Sequence, residues 1–156
     1  MDPNDVMLRT AAKEDASFIR SLFESIRSPE FEQSGLVGEP LRLLLNQQYH
    51  AMRNHYDRVY PNAVYVIFEF EGIPIGYQAT DDAETLHIID IALAPEYRGM
   101  GIGTLRMVAL QEMAANQAKD LTLTVEKFNP ALRLYQRLGF VPYDDRDPYL
   151  RMKWSP

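Results

Sequence analysis

The spacing of hydrophobic residues in the first part of the chain predicts one strand followed by two helices. Residues 7–11 favour a strand, and apolar residues recur at helical spacing over residues 13–27 after an acidic first turn. Residues 28–38 contain a proline and two glycines, so the sequence predicts a loop there. Pro40 suits the first turn of a second helix, which Pro61 must end.

The middle of the chain contains β-branched and aromatic runs that predict a sheet. Two such runs, residues 64–70 and 73–80, are separated by Glu71-Gly72, which is typical of a hairpin. Residues 86–93 are almost continuously apolar. That pattern indicates a strand buried on both faces in the middle of the sheet.

A helix, a strand and a short helix follow, and the chain closes with a predicted hairpin. The helix that begins at Ile102 crosses over to a strand at residues 121–125, so that strand should lie parallel to residues 86–93. Residues 129–139 predict the short helix, because they start with Asn-Pro and end with Gly. The predicted fold class is therefore α/β (α+β), with one mixed sheet of about seven strands and about four helices.

Composition predicts one globular domain, residues 1–156. The net charge of −6 and the lack of basic clusters argue against a nucleic-acid partner. The chain has no cysteine, which excludes disulfides, thiolate metal sites and an acyl-cysteine intermediate. No apolar run reaches the ~20 residues that span a bilayer, and the acidic start differs from a signal peptide, so we expect a cytoplasmic protein without a membrane partner. His50 and His55 do not share a helix face, so no metal is expected.

A glycine-rich segment directly after residues 86–93 is the candidate ligand-binding loop. Its three alternate glycines let the backbone approach a ligand, and the N–H groups of the following helix point into the same space. A helix N-terminus favours an anion such as pyrophosphate, and an arginine adds a charged donor. The segment does not match the dinucleotide-binding fingerprint, because the third glycine of that motif is missing. It does not match the P-loop either, because no lysine follows the glycines. The segment comprises Arg98, Gly99, Met100, Gly101, Ile102, Gly103 and Thr104.

Two motifs in this part of the chain resemble those of a known family. The first is Arg-x-x-Gly-x-Gly at Arg98, Gly101 and Gly103, and the second is Asn-x-Ala-x-x-Leu-Tyr-x-x-x-Gly-Phe from Asn129 to Phe140. Together they resemble the signatures of the GNAT superfamily of acyl-coenzyme A N-acyltransferases. The resemblance implies a single-domain GNAT-like fold with two splayed parallel central strands, acetyl-CoA as co-substrate and an amine acceptor.

The same resemblance implies roles for individual residues. The backbone N–H of Leu93 would polarise the thioester carbonyl, and the pantetheine arm would run along the strand edge near Ile91. Tyr135 would donate a proton to the departing thiolate, although a half-buried aromatic in the last helix is the structural alternative. Asn129 either only caps its helix or also contacts coenzyme A. The remaining implied contacts with the cofactor are residues 98–104.

The general base is left open by the sequence. His87 lies six residues before Leu93, the offset at which some family members carry a glutamate, and a histidine has an ordinary pKa near 6.5 that suits proton transfer. Asp90 stands among isoleucines, where a buried carboxylate needs partners, so it could be a base, an amine anchor or a structural acceptor. Glu84 and an ordered water chain are further alternatives.

These features predict an N-acetyltransferase that moves an acetyl group directly from acetyl-CoA to a primary amine of a small molecule or protein. The alternative is a non-catalytic acyl-CoA-binding or regulatory module. In the family the first two helices and the loop between them wall the acceptor site. Ordinary helix packing is the alternative for the aromatic residues of the second helix, since aromatic residues at helical spacing are usually part of the core. A homodimer through the C-terminal hairpin or an edge strand is compatible with the sequence. The candidate acceptor-side residues are Tyr49, His50, His55, Tyr56 and Tyr60.

Overall fold

The computed structural model describes residues 1–156, which form seven strands and four helices. The strands are β1 (Met7–Thr10), β2 (Val64–Phe70), β3 (Ile73–Asp82), β4 (Leu86–Leu93), β5 (Leu121–Glu126), β6 (Val141–Arg146) and β7 (Tyr149–Trp154). The helices are α1 (Ala16–Gln33), α2 (Gly38–Val59), α3 (Ile102–Asn116) and α4 (Leu132–Arg137). All strands join one sheet in the order β1-β2-β3-β4-β5-β7-β6. Only β4 and β5 are parallel, which confirms the predicted crossover.

The one clear error in the predicted elements is the loop at residues 28–38. The helix α1 continues through Pro29 to Gln33, and only residues 34–37 connect it to α2. A proline inside a helix removes one backbone hydrogen bond, and packing of the remaining turns can outweigh that loss. The other predicted boundaries agree with the structure to within a few residues.

The sheet is covered by helices on both faces. Side chains of α1 and α2 pack with β2 and β3 on what we call the α1/α2 face. Side chains of α3 and α4 pack with β4, β5 and β7 on the α3/α4 face, around the fully buried Met107, Leu121 and Met152. The strand β4 has an apolar sequence because it lies in the middle of the sheet, where helices cover both of its faces.

The two parallel strands pair over only part of their length. Their register runs from Leu86 opposite Leu121 to Ile88 opposite Leu123 and then stops. At the same point the pairing of β4 with β3 is irregular, because Thr80 is opposite Ile88 and Ala79 is opposite Asp90, which leaves Ile89 as an extra residue. Such a bulge bends a strand and increases its twist. The strands β4 and β5 therefore splay apart after Ile88.

Candidate active site

The splayed strands leave a cleft of about 100 Å³ in the middle of the sheet. We call it the β4–β5 cleft. One wall is β4 and the other is β5 with the start of the segment that leads into α4. The lining residues are Ile88, Ile89, Asp90, Ile91, Leu123, Thr124, Val125, Asn129 and Tyr135. The cleft therefore brings together Asp90, Ile91, Asn129 and Tyr135, which the sequence had placed on two different elements.

The edge of β4 along the cleft has no strand partner beyond Ile88. The N–H of Ala94 donates to the carbonyl of Ile75, 2.8 Å away, on the side of β3. Because successive peptide groups of a strand point to opposite edges, the N–H of Leu93 points toward the side that β5 has left. An extended ligand can add to such an open edge as a strand would.

The glycine-rich loop connects this edge to the start of α3. Gly101 caps the helix with a left-handed backbone, φ 89°. Leu105 is the first residue whose N–H finds a helical acceptor, the Gly101 carbonyl at 3.0 Å, so the N–H groups of residues 102–104 are free for a ligand. The result is an anion-binding helix N-terminus at the end of β4.

The other residues of the loop have different positions. Gly99 also has a positive φ of 73°, whereas a Cβ at Gly103 would make only ordinary contact, 3.9 Å from Leu93. The Nε of Arg98 donates to the carbonyl of Leu93, 3.0 Å away, so this arginine ties the loop to the end of β4. Met100 and Thr104 are exposed, and the side chain of Ile102 is buried and anchors the helix.

Asp90 lies on the α1/α2 face of β4 beside Tyr77 and Tyr56. The hydroxyl of Tyr77 donates a hydrogen bond to its carboxylate. Burial raises the pKa of Asp90, and the hydrogen bonds from Tyr77 and the Ile91 N–H oppose that rise. The proton affinity of this carboxylate is thus higher than that of an ordinary aspartate.

Tyr135 lies on the opposite wall of the cleft, in α4. It is 8% exposed, and its ring packs 5.9 Å from the ring of Phe140. Burial, with a smaller effect of the Asp90 charge, raises the pKa of Tyr135 to about 12. The phenol is therefore held in its protonated form, which is the form that can donate a proton.

The two remaining base candidates lie outside the cleft. His87 is in the part of β4 that is still paired with β5, where its Nδ1 is 2.8 Å from the Oγ1 of Thr122. Burial lowers the pKa of His87, and its ring stacks on that of Tyr60 at 5.5 Å. Glu84 is exposed in the turn between β3 and β4.

Asn129 is not the N-cap that the sequence predicted, because Ala131 has that position, and the side chain of Asn129 instead stabilises the turn that leads into α4. Its Oδ1 accepts a hydrogen bond of 2.9 Å from the N–H of Ala131, and its carbonyl accepts one of 3.0 Å from the N–H of Leu132. Regular helix begins two residues later than Pro130, at Leu132. Asn129 also lines the cleft, so its position is compatible with a purely structural role and with an additional contact to coenzyme A.

The candidate acceptor-side residues of α2 and its C-terminal end divide into three groups. Tyr49 is 6% exposed and packs against Phe23, so it belongs to the core. His50 and His55 are exposed on the helix surface. Tyr56 and Tyr60 lie near the polar residues of β4. Tyr60 stacks on His87, and the pKa of Tyr56 is raised mainly by burial and also by the charge of Asp90.

Tyr77 is the site residue that sequence reasoning missed. It lies on β3, an ordinary-looking strand, and no motif marks it. Only the register of β3 against β4 shows that it reaches Asp90. No cluster of three or more His, Cys, Asp or Glu side chains in the structure could hold a metal ion. None of the helices combines the length and apolar character needed to cross a bilayer.

Comparison with known proteins identifies a family and a fold. The sequence profile of the acetyltransferase (GNAT) family matches residues 22–140. A Bacillus subtilis protein, provisionally named as a ribosomal protein bS18-alanine N-acetyltransferase, is 37% identical over 95 residues, or 57% of this chain and 61% of that protein. The chain thus spans about three fifths of the length of this curated relative.

Two solved structures share the fold at low sequence identity. The PaiA N-acetyltransferase from Thermoplasma acidophilum, in complex with coenzyme A, has a TM-score of 0.71 and 16% identity over 97% of this chain and 99% of its own. The structure of yncA from Salmonella typhimurium, with its cofactor acetyl-CoA, has a TM-score of 0.60 and 18% identity over 97% of this chain and 94% of its own.

Proposed function

This chain belongs to the GNAT family of acetyltransferases, and we propose that it transfers an acetyl group directly from acetyl-CoA to a primary amine. The observation that carries the proposal is the junction of an open strand edge with an anion-binding loop. The edge of β4 ends at Leu93, and the free N–H groups of α3 begin at Ile102. A molecule with an extended amide-containing arm and a pyrophosphate at its end fits both features.

Acetyl-CoA has this chemistry. Its pyrophosphate would bind the N–H groups of residues 102–104 with Arg98 nearby, and its pantetheine arm would pair with the edge at Ile91 and Leu93. The thioester would then lie in the β4–β5 cleft between Asp90 and Tyr135. The two fold neighbours crystallised with coenzyme A and acetyl-CoA support this choice of co-substrate.

The residues of the cleft supply the groups that the reaction needs. One proton leaves the acceptor ammonium, the amine nitrogen forms a bond to the acetyl carbon, and the carbon–sulfur bond breaks. The N–H of Leu93 stabilises the oxyanion that forms, which is worth about 3–4 kcal/mol in comparable sites. Tyr135 gives its proton to the departing thiolate, and the second nitrogen proton is lost as the tetrahedral intermediate collapses to the amide and restores the Tyr135 phenol through solvent. The base passes the first proton to solvent. No covalent enzyme intermediate is required.

We assign the general base to Asp90 in preference to His87. Asp90 lines the splayed part of the cleft opposite Tyr135, whereas His87 is in the paired part of β4 and bonds to Thr122. A base works best when its pKa lies near the working pH. Burial moves the pKa of Asp90 upward in that direction, and it moves the pKa of His87 downward, away from a proton acceptor of useful strength.

Calorimetric titration with acetyl-CoA, followed by an assay of free thiol with a panel of amines, tests the proposal. We expect micromolar binding to the wild type and none to a folded Gly101→Glu variant, whose carboxylate would occupy the anion site. Met113→Glu is the matched control, because it adds the same charge at an exposed position near the other end of α3, so its binding should persist. Absence of binding to the wild type would overturn the proposal. Binding without thiol release would leave the non-catalytic acyl-CoA module.

A further inference from the structure

Aromatic rings surround one carboxylate on the α1/α2 face of β4, next to the β4–β5 cleft that this carboxylate lines. Asp90 forms the floor, and Tyr77 bonds to it from β3. Near the end of α2, Tyr56 is buried enough, and close enough to the Asp90 charge, for both to raise its pKa. The ring centroid of Tyr60, which directly follows α2, lies 6.3 Å from that of Tyr56. Neither of these two tyrosines is fully buried, so part of the surface of each residue is accessible to a ligand.

The aromatic wall is continuous beyond these residues. The ring of His87 stacks on Tyr60 at 5.5 Å and 25°, and the ring of Tyr65 stacks on Tyr77 at 6.4 Å and 11°. These contacts hold the rings in fixed orientations. A rigid aromatic surface binds a flat or apolar ligand favourably, because the ligand covers apolar area on the rings. The ring faces also attract a cation.

The charges around this wall leave an unbalanced negative charge. Each nearby arginine has a carboxylate within 4 Å: Arg27 has Glu126 at 3.7 Å, Arg53 has Asp57 at 3.8 Å and Arg151 has Asp144 at 3.9 Å. Asp90 and Asp81 have no basic side chain within that distance. A cationic ligand would supply the missing partner, whereas a ligand with its own carboxylate would add to the imbalance.

We infer that the acceptor is a primary amine on a ring-bearing, apolar carbon skeleton without an acidic group. Its ammonium lies against Asp90, and its ring lies on Tyr56 and Tyr60 at the mouth of the cleft. This inference rests on the proposed function, since it names the acceptor class for the same site. The ammonium gives one proton to the Asp90 carboxylate, and the neutral nitrogen then attacks the thioester as described above.

Four primary amines test the inference with the wild-type protein, and they differ in whether they carry a ring, a carboxylate or a peptide chain. 2-Phenylethylamine has both features, n-butylamine lacks the ring, L-phenylalanine adds a carboxylate, and a short peptide that begins with alanine represents a protein N-terminus. We expect kcat/KM for 2-phenylethylamine to exceed each of the others by at least about tenfold. Equal or better use of n-butylamine, phenylalanine or the peptide would overturn the inference.

Variants of the wall give an independent readout. Tyr60→Leu and Tyr56→Leu should each lower kcat/KM for 2-phenylethylamine by about tenfold, with n-butylamine kinetics and the Kd of acetyl-CoA unchanged. Tyr60→Phe and Tyr56→Phe keep the rings and should retain the preference. Equal losses for both amines would overturn the inference.

The acetyl-CoA titration separates this inference from the proposed function. If acetyl-CoA binds and another amine is acetylated best, only the acceptor class is wrong. If acetyl-CoA binds and none of the four amines releases thiol, the acceptor class is wrong and turnover is not supported. If acetyl-CoA does not bind, the proposed function fails and the inference fails with it.

Discussion

The hydroxyl of Tyr77 donates a hydrogen bond to the carboxylate of Asp90 across the β3–β4 pair, on the α1/α2 face of the sheet. Burial favours the neutral form of Asp90 and raises its pKa, while the bond from Tyr77 favours the charged form and limits the rise. Tyr77 is therefore a positioning residue that both orients the carboxylate and sets its proton affinity.

Tyr77→Phe should move the acid limb of the pH profile of kcat/KM to higher pH. The substitution removes the donor but keeps the ring, so the pKa of Asp90 rises further and less of the reactive carboxylate is present at low pH. On the alkaline side of this limb the rate should stay close to that of the wild type. Kinetics measured over the full pH range would check this, and superimposable profiles would remove Asp90 from the titration that limits the rate.

Asp90→Asn and His87→Gln should separate the two candidate bases. The asparagine keeps the shape of the side chain but cannot accept the proton, so kcat should fall by about 10²–10⁴-fold. Gln at position 87 can still bond to Thr122 and should keep kcat within a few fold of the wild type. Steady-state kinetics with saturating acetyl-CoA decides between them, and the reverse pattern of losses would assign the base to His87.

Tyr135→Phe should lower kcat by about 10²-fold or more without weakening acetyl-CoA binding. The ring and its contact with Phe140 remain, so the helix α4 keeps its place, and only the proton donor for the thiolate is lost. The measurement is kcat from thiol release, with the Kd of acetyl-CoA from titration as the control. A variant that works at the wild-type rate would reduce Tyr135 to a packing residue.

Asp15→Asn should make the free energy of unfolding depend less on pH in the acid range. The carboxylate of Asp15 accepts bonds of 2.7 Å from the Arg9 guanidinium and the Ala12 N–H, and these bonds lower the pKa of Asp15 to about 2. The depressed pKa means that the charged form stabilises the fold above the ordinary pKa of 3.8 and that this contribution disappears as the pH falls toward 2.

Urea unfolding of both proteins between pH 2 and 7 would test this linkage, since ~pH 4 to 2 is where the wild type should lose the contribution. The variant should have a lower free energy of unfolding at pH 7 and a smaller loss of stability in the acid range. Parallel curves for the two proteins would show that the pair of Arg9 and Asp15 does not set the acid limit.

Periodicity identified most of the fold because helices cover both faces of the sheet and its strands are correspondingly apolar. The apolar run Leu86–Leu93 marked the centre of the sheet, and its bounds were correct. The prediction failed at Pro29, where a local rule was outweighed by the packing of a long helix. The rule that proline disfavours a helix describes the energy of one helical turn, whereas tertiary contacts stabilise every turn of a long helix.

The candidate site likewise contains some residues that the sequence identifies and others that it does not. The glycine loop, Asn129 and Tyr135 occur in motifs with fixed spacing, so the sequence could name them. Tyr77 and the bulge at Ile89 depend on which residues of two strands lie opposite each other, and the sequence contains no direct signal of that register. The choice between Asp90 and His87 depended on the same information.

Gly76 is a second residue whose importance only the register shows, and it yields the last prediction. It lies on β3 opposite Leu93. A Cβ at this position would lie 2.5 Å from the carbonyl oxygen of Ala92 and 2.8 Å from Cδ2 of Leu93, and neither backbone nor packed side chain can yield that much without moving β4. Gly76→Ala should therefore cost about 1–3 kcal/mol of stability and also weaken acetyl-CoA binding, because it displaces the strand that presents the Leu93 N–H. Thermal unfolding and titration of the same sample would measure both effects. If Gly76→Ala were as stable as the wild type and bound acetyl-CoA equally well, the close approach of β3 and β4 would not be what fixes the edge of the cleft.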